Sequence, residues 1–463
     1  METLQPTFEP VRMHLDTQDS RLFLQCRDFL AGIAPDLDEA GRQFLETVNY
    51  LPDETAAGNA IPEPVSRNRQ ALLSLAATFS RAFRLPLPHA PGAAFFGAMG
   101  MPSALGITGY GNDAVGFAGR GMTFGQAFES CVGEAAEYFS FIERDIDPLL
   151  TPPERLAAPG DADLCWAFDG IGIDPGTSTA DLTWVAAMPL DGEPGGAVRF
   201  PSELVLRRPA GRRVGKRPAE STGVGAGPTL DAALYSGLME CIERDAIALW
   251  WYGGNNAARV CDTALQRIGF TRYAEHVRAG SNRPFWFLDL TTDLDLPVIA
   301  ALSSTVDGHS VVTGFCARVD IRHAVLGAFL EMCQMELAQQ ISRAKLEQRG
   351  PEAMQAQYWT WIERFKSFSC DAYPHFLGQE SLDPFTSEGV DDPMTTAVER
   401  LRVHGLRAYW VDLTRPEVGV ACARVLVPGL QSPKPDWISE RLKAAAAREG
   451  RTPAEFAAML PVI

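Results

Sequence analysis

Near the N-terminus, three stretches (20–31, 37–50 and 66–83) carry apolar residues at helical spacing, parted by a Pro- and Gly-bearing break over 51–64. They predict a small helical accessory region over 1–90. From Gly92 onward the pattern changes, and β-branched and aromatic runs alternate with long amphipathic stretches. That alternation predicts a mixed α/β (α+β) domain over 91–434. Beyond Pro428-Gly429-Leu430 the spacing predicts a charged helix over 437–448 and a short apolar tail, a C-terminal segment of 435–463.

One unit recurs three times within the α/β region: a glycine turn followed by a helix bearing Glu at fixed spacing. The first copy runs Ala118-Gly119-Arg120-Gly121-Met122-Thr123 into a helix with Ser130, Glu134 and Glu137, and Thr123 and Gln126 have the spacing of a capping box. The second runs Ser221-Thr222-Gly223-Val224-Gly225-Ala226-Gly227 into a helix with Glu240, Glu243, Arg244 and Asp245. The third is Thr313-Gly314-Phe315, a strand-like link through Asp320, and a helix with Glu331 and Gln334. At about 100° per residue, Ser130, Glu134 and Glu137 share an arc of roughly 60°, and Glu240 and Glu243 share a face in the same way.

Leu234, Leu238, Met239, Ile242 and Ala246 surround Glu240 and Glu243, so this helix is mostly buried, where acids seldom lie without partners. Two carboxylates about 4 Å apart repel by roughly 4 kcal/mol at an effective dielectric of 20, and such a pair calls for a cation or for protons. Magnesium suits it, being held by a few carboxylates together with nucleotide phosphates. Glycine turns at helix N-termini offer N–H groups to the same phosphates. None of the turns has the GxxxxGK[ST] spacing of a P-loop. The residues alone specify a carboxylate-lined site compatible with a metal-bound nucleotide.

Composition narrows the classes. A net charge of −17 over 463 residues argues against general nucleic-acid or anionic-membrane binding. No apolar run approaches the roughly 18 residues of a membrane span, and residues 1–10, with Glu2 and Glu9, lack a secretory pattern, so the expected location is cytoplasmic. The nine cysteines form no CxxC pair, which speaks against structural zinc and disulfides, and Cys131, Cys241 and Cys333 read as small buried hydrophobes. His323 reads as structural. The run Arg207 to Arg217 is a cationic island, either a solvated mobile loop or a guide for ATP or an acidic leader peptide.

The ordered motifs resemble the YcaO family from about Gly92 to Leu430. Gly119-Arg120-Gly121 with Ser130, Glu134 and Glu137 is similar to its first turn and SxxxExxER helix. Ser221 to Gly227 with Gly237 to Ala246 is similar to its second motif, and Ala324 through Glu331 and Gln334 to its ExxQ helix. Val411 to Pro416 and Arg424 to Leu430 resemble its closing strands.

The resemblance implies a mixed α/β fold of pseudo-repeated units with ATP and Mg2+ as cofactors. Glu134, Glu137, Glu240, Glu243 and Glu331 would hold magnesium, and Arg120, Ser130, Ser221, Arg244 and Gln334 would contact nucleotide or organise the site. It names no catalytic residue in this chain. The implied reaction is O-phosphorylation of a backbone amide in a ribosomally made peptide or protein, giving an azoline, a thioamide or a related product. The implied partners are that precursor, a leader-binding or TfuA-like protein, and a second copy in a homodimer.

Three features depart from the family pattern. Tyr138 stands where the first helix has Arg, and Gly327 where the third often has Arg. The tail Met459-Leu460-Pro461-Val462-Ile463 keeps one proline, whereas azoline-forming members typically end in PxPxP. The tail favours thioamide formation or a less usual backbone modification over standard cyclodehydration. The two lost cations keep open a noncatalytic peptide-binding scaffold; an ATP-grasp-like or amidoligase enzyme is the remaining alternative.

Overall fold

The computed structural model describes residues 20–51, 62–111, 113–151, 162–173, 180–192, 197–353, 356–379, 392–433 and 436–462. Residues 1–10, most of the break at 51–64 and Ile463 lie outside them. By packing, the chain forms two compact units, Met1–Ser140 with Thr414–Ala421, and Phe141–Leu413 with Cys422–Ile463.

The first unit opens with three helices, α1 (Ser20–Leu30), α2 (Glu39–Thr47) and α3 (Glu63–Ala76). An antiparallel sheet follows, β1 (Arg81–Leu85), β2 (Ala94–Gly100) and β3 (Val115–Gly121), and then α4 (Phe124–Phe141). The expected helix over 66–83 thus ends at Ala76, and Arg81–Leu85 is a strand instead. The reason is a distant partner: β1 pairs with β2 from Arg81↔Met99 to Leu85↔Phe95, and Gly97 leaves room for the Phe83 ring. Phe23, Phe44 and Phe128 meet at 5.3–6.1 Å to make an aromatic core.

The second unit begins with α5 (Ala162–Ile171), β4 (Trp184–Pro189), β5 (Val198–Pro201) and α6 (Ser202–Val205). Next come β6 (Val224–Gly227) and α7 (Leu230–Trp251). They lead through β7 (Ala258–Arg259), α8 (Asp262–Arg267) and α9 (Phe270–Val277) to β8 (Phe285–Asp289), β9 (Val298–Ser303) and β10 (Val312–Ala317). The unit closes with α10 (Ile321–Arg349), α11 (Ala356–Ser367), α12 (Pro393–Val403), β11 (Tyr409–Asp412), β12 (Ala421–Leu426), α13 (Glu440–Arg448) and α14 (Pro453–Ala458). Its sheets run in the orders β10-β9-β8-β7 and β5-β4-β11-β12-β6.

Helix α7 is the spine of this unit. Thr229 caps it by accepting the Ala232 N–H at 3.2 Å, satisfying a donor the helix start leaves open. Its C-terminal half is buried all round, with Trp251 stacked on Phe376 at 5.2 Å and on Tyr373 at 5.3 Å. Fully buried Asp245 is bound by Arg441 of α13 and by the Gln431 N–H at 2.8 Å, which ties the segment after β12 to the same helix. Among the described residues no helix is long and apolar enough to cross a membrane.

Candidate functional site

In each of the three repeats the glycines bring a strand flush against the following helix. A Cβ on Gly119 would stand within 3.0 Å of Ala127 and Cys131 backbone, one on Gly225 of Ala233 and Gly237, and one on Gly314 of Ala328 and Met332. At that separation a strand-side N–H reaches a Glu of the helix. Ala118 donates to Glu134 at 2.9 Å, Gly223 to Glu240 at 3.0 Å and Phe315 to Glu331 at 2.9 Å. This corrects the reading of the runs as phosphate-cradling turns: they are largely strand, and the Gly223 N–H is spent on Glu240. Gly223, at φ +85°, does require the conformation that glycine favours.

The first unit holds Arg120, Ser130, Glu134 and Glu137. Arg120 lies half-buried on β3 opposite Phe95; on α4, Glu134 is exposed, and Ser130 and Glu137 are half-buried. The Thr123 hydroxyl accepts the Gln126 N–H at 3.2 Å, while the Gln126 side chain reaches back to the Met122 N–H rather than to Thr123. Tyr138 sets its ring edge-on to Phe117 and Phe139, at 5.7 and 5.5 Å.

The second unit holds Ser221, Glu240, Glu243, Arg244, Glu331 and Gln334 and draws most of them together. Glu243 accepts the Ala317 N–H at 3.2 Å, so α7 and β10 aim its carboxylate jointly. Arg244 donates to Glu240 at 3.3 Å and stands 3.7 Å from Glu243. Burial pushes the Glu243 carboxyl up to about 7, with Glu331 and Glu240 adding to the rise and Arg244 opposing it. Burial acts against the charge of Arg244, but Glu243 and Glu240 outweigh it and keep the guanidinium protonated. Gln334 lies half-buried one turn beyond Glu331.

A cavity of about 410 Å³ opens against this group, within the roughly 300–1,000 Å³ range of small-molecule sites. Glu240, Arg244, Ser221 and Thr222 line one part of it, and Trp166 and Trp437, in edge contact at 5.9 Å, another. Glu243 and Glu331 are not among its walls; they adjoin it through Glu240 and Arg244. Arg424 also lines it, buried, donating to the carbonyls of Glu220 at 2.7 Å and Leu204 at 3.2 Å, with burial pulling its pKa down. The sequence reading gave Arg424 no role, although a lone cation in the apolar strand Ala421–Leu426 was the available signal.

The donor set fits a nucleotide-bound magnesium better than a bare ion. Among the described residues no three His, Cys, Asp or Glu side chains converge closely enough to hold a metal alone. Mg2+ shared with phosphates needs only one or two carboxylates. Glu240 and Glu243, in a cluster short of positive charge, meet that need.

Other candidates resolve differently. The island Arg207 to Arg217 is pinned rather than mobile: Glu203 accepts the Val214 and Gly215 N–H groups at 2.6 and 2.7 Å, and Arg208 pairs with Glu143 at 2.5 Å. Arg207 and Arg217 reach the cavity wall. His323, expected to be structural, is exposed beside Asp320 at 3.8 Å on the first turn of α10. Burial lifts the thiols of Cys241 and Cys333 to about 12 and that of Cys131 well above the usual range, so none is a ready thiolate.

Residues 118–431 match the YcaO cyclodehydratases, described as binding ATP and Mg2+. An uncharacterised protein of Methanothermobacter thermautotrophicus is 25% identical over 346 residues, 71% of this chain and 85% of its own. A heterocyclase solved with substrate and cofactor is similar at TM-score 0.65 and 22% identity, over 84% of this chain; the present chain spans 55% of its length. YcaO from Methanopyrus kandleri, solved with AMPPCP and Mg2+, is similar at TM-score 0.52 and 20% identity, over 76% of this chain and 85% of its own. With the motif order, the glycine-packed repeats and a family match over about two thirds of its residues, the chain belongs to the YcaO family of ATP- and Mg2+-binding proteins.

Proposed function

We propose that this protein activates a backbone amide of a ribosomally made peptide or protein, using Mg-ATP held at Glu240, Glu243, Glu331 and Arg244. The observation that carries this reading is the trio of carboxylates, each fixed by a strand or turn N–H, with Arg244 between Glu240 and Glu243 at the cavity wall. Such pre-orientation removes the cost of arranging the ligands when charge arrives. Glu134 and Glu137 of the first unit are assigned to the same metal function, and Arg120, Ser130, Ser221 and Gln334 to nucleotide contact.

An amide oxygen is a poor leaving group, so a nucleophile that adds to the carbonyl stalls. Mg-ATP, when bound, supplies the phosphoryl group that lets this oxygen depart. The residues here hold and orient: Glu240 and Glu243 would hold the cation, Arg244 balances their charge, and the cavity beside Trp166 and Trp437 would take the rest of the nucleotide. With the nucleophile a Cys or Ser side chain the product is an azoline; with external sulfide it is a thioamide. A TfuA-like or leader-binding protein is assigned as the partner that presents the precursor.

Coexpression with a candidate precursor and partner, followed by mass spectrometry, tests the assignment. A loss of about 18 Da marks cyclodehydration and a gain of about 16 Da marks oxygen-to-sulfur exchange, from atomic masses. Modification confined to a side chain, or complete without ATP, would defeat it.

A further inference from the structure

Arg318 lies just beyond β10, beside the residue that orients Glu243. Its backbone is fixed: its N–H bonds the Pro297 carbonyl at 3.1 Å, and the next N–H, of Val319, bonds the Tyr235 hydroxyl at 3.1 Å. Its side chain is barely engaged. Among the described residues the guanidinium makes one hydrogen bond, from Nη1 to the Ala317 carbonyl at 2.7 Å. It forms no ion pair with Glu243 or Glu331, although Cys316 and, after it, these two carboxylates lie within electrostatic reach and favour its charged form against burial.

A guanidinium carries five N–H donors in a planar fork suited to phosphate and carboxylate. Arg244 is ion-paired with Glu240 and Glu243, and Arg424 bonds two carbonyls, whereas Arg318 is paired with no carboxylate among the described residues and makes one hydrogen bond. Glu240 and Arg244 line the cavity, Glu243 lies between them in sequence, and the Ala317 N–H that bonds Glu243 belongs to the residue before Arg318. A nucleotide with its base in the cavity and its magnesium at Glu240 and Glu243 would bring the phosphates that share that metal towards Arg318.

Resting on the nucleotide site proposed above, we propose that Arg318 is a phosphate ligand that binds the terminal phosphate of ATP and so separates triphosphate from diphosphate. Lys at this position would keep the charge and lose the fork.

Calorimetry of the full-length chain with Mg-ATP and with Mg-ADP tests this on wild type, Arg318→Gln, Arg318→Lys and Arg244→Gln. Arg318→Gln should weaken ATP roughly 10- to 100-fold, the range of charge-assisted hydrogen bonds, and shift ADP by less than about threefold. Arg318→Lys should fall between wild type and Arg318→Gln for ATP. Equal losses for the two nucleotides, or none in either variant, would overturn the assignment. Arg318→Lys carries the test if Arg318→Gln lowers the nucleotide-free unfolding midpoint. Unchanged binding in Arg244→Gln, or no binding by wild type, would instead remove the nucleotide site and this inference with it.

Discussion

Gly327 on α10 and Cys316 on β10 face each other so closely that a Cβ on residue 327 would stand within 3.0 Å of the Cys316 sulfur. The absence of Arg at this helix position therefore has a local cause: the β10 side chain fills the space through which a long side chain would leave the helix. Gly327→Ala should destabilise the chain by about 1–3 kcal/mol, the usual cost of overpacking. Cys316→Gly should relieve most of that loss in the double variant. Denaturant unfolding of the four proteins checks it, and additive costs would show the two sites to be independent.

Tyr138 has likewise found other work. Its ring contacts with Phe117 and Phe139 are each worth about 0.5–1.5 kcal/mol beyond area burial. Tyr138→Arg should lower stability by about 1–2 kcal/mol. An unaltered or raised unfolding midpoint would contradict the packing role.

Glu243 should leave a signature in the pH dependence of stability. Its folded pKa of about 7 exceeds the ordinary 4.5, so the folded chain holds more protons than the unfolded chain between those values. Stability from this group is complete below pH 4.5 and is lost as pH rises through about 7. Unfolding of the nucleotide-free protein across that window should show a decline that Glu243→Gln flattens. Parallel profiles for the two proteins would be the opposing result.

Buried Asp245 pairs with half-buried Arg441, which also holds the exposed Asp293, and removing the guanidinium leaves the Asp245 carboxylate without that cation. Arg441→Met should cost about 3–5 kcal/mol, because the Asp245 carboxylate has no exposure to water. Arg441→Met with Asp245→Asn should recover part of it. Chemical denaturation distinguishes this from a surface-pair effect, which would be about 1 kcal/mol or less.

The sequence made the helix-borne acids visible because two carboxylates one turn apart in an apolar stretch are a local contradiction that needs no fold to detect. What it hid was long-range. The strand Arg81–Leu85 passed for the end of a helix because its partner β2 lies across an intervening loop. The cationic run looked solvated because its anchors Glu143 and Glu203 belong to separate segments. The glycines looked like turns because spacing alone does not separate a phosphate cradle from a strand lying on a helix. Arg318 belongs to no motif and Arg424 only opens a closing-strand match that assigns it no role, so their surroundings alone single them out.

The most direct test of the central claim is calorimetric titration of ATP into wild type, Glu240→Gln and Glu243→Gln, with and without Mg2+. Each substitution removes one metal-directed charge and preserves shape. The predicted result is magnesium-dependent binding to wild type, weakened at least roughly tenfold by either substitution, as expected for loss of a charge-assisted contact. Nucleotide affinity unchanged in both variants, with magnesium still required, would contradict the placement of the Mg-ATP site at these carboxylates.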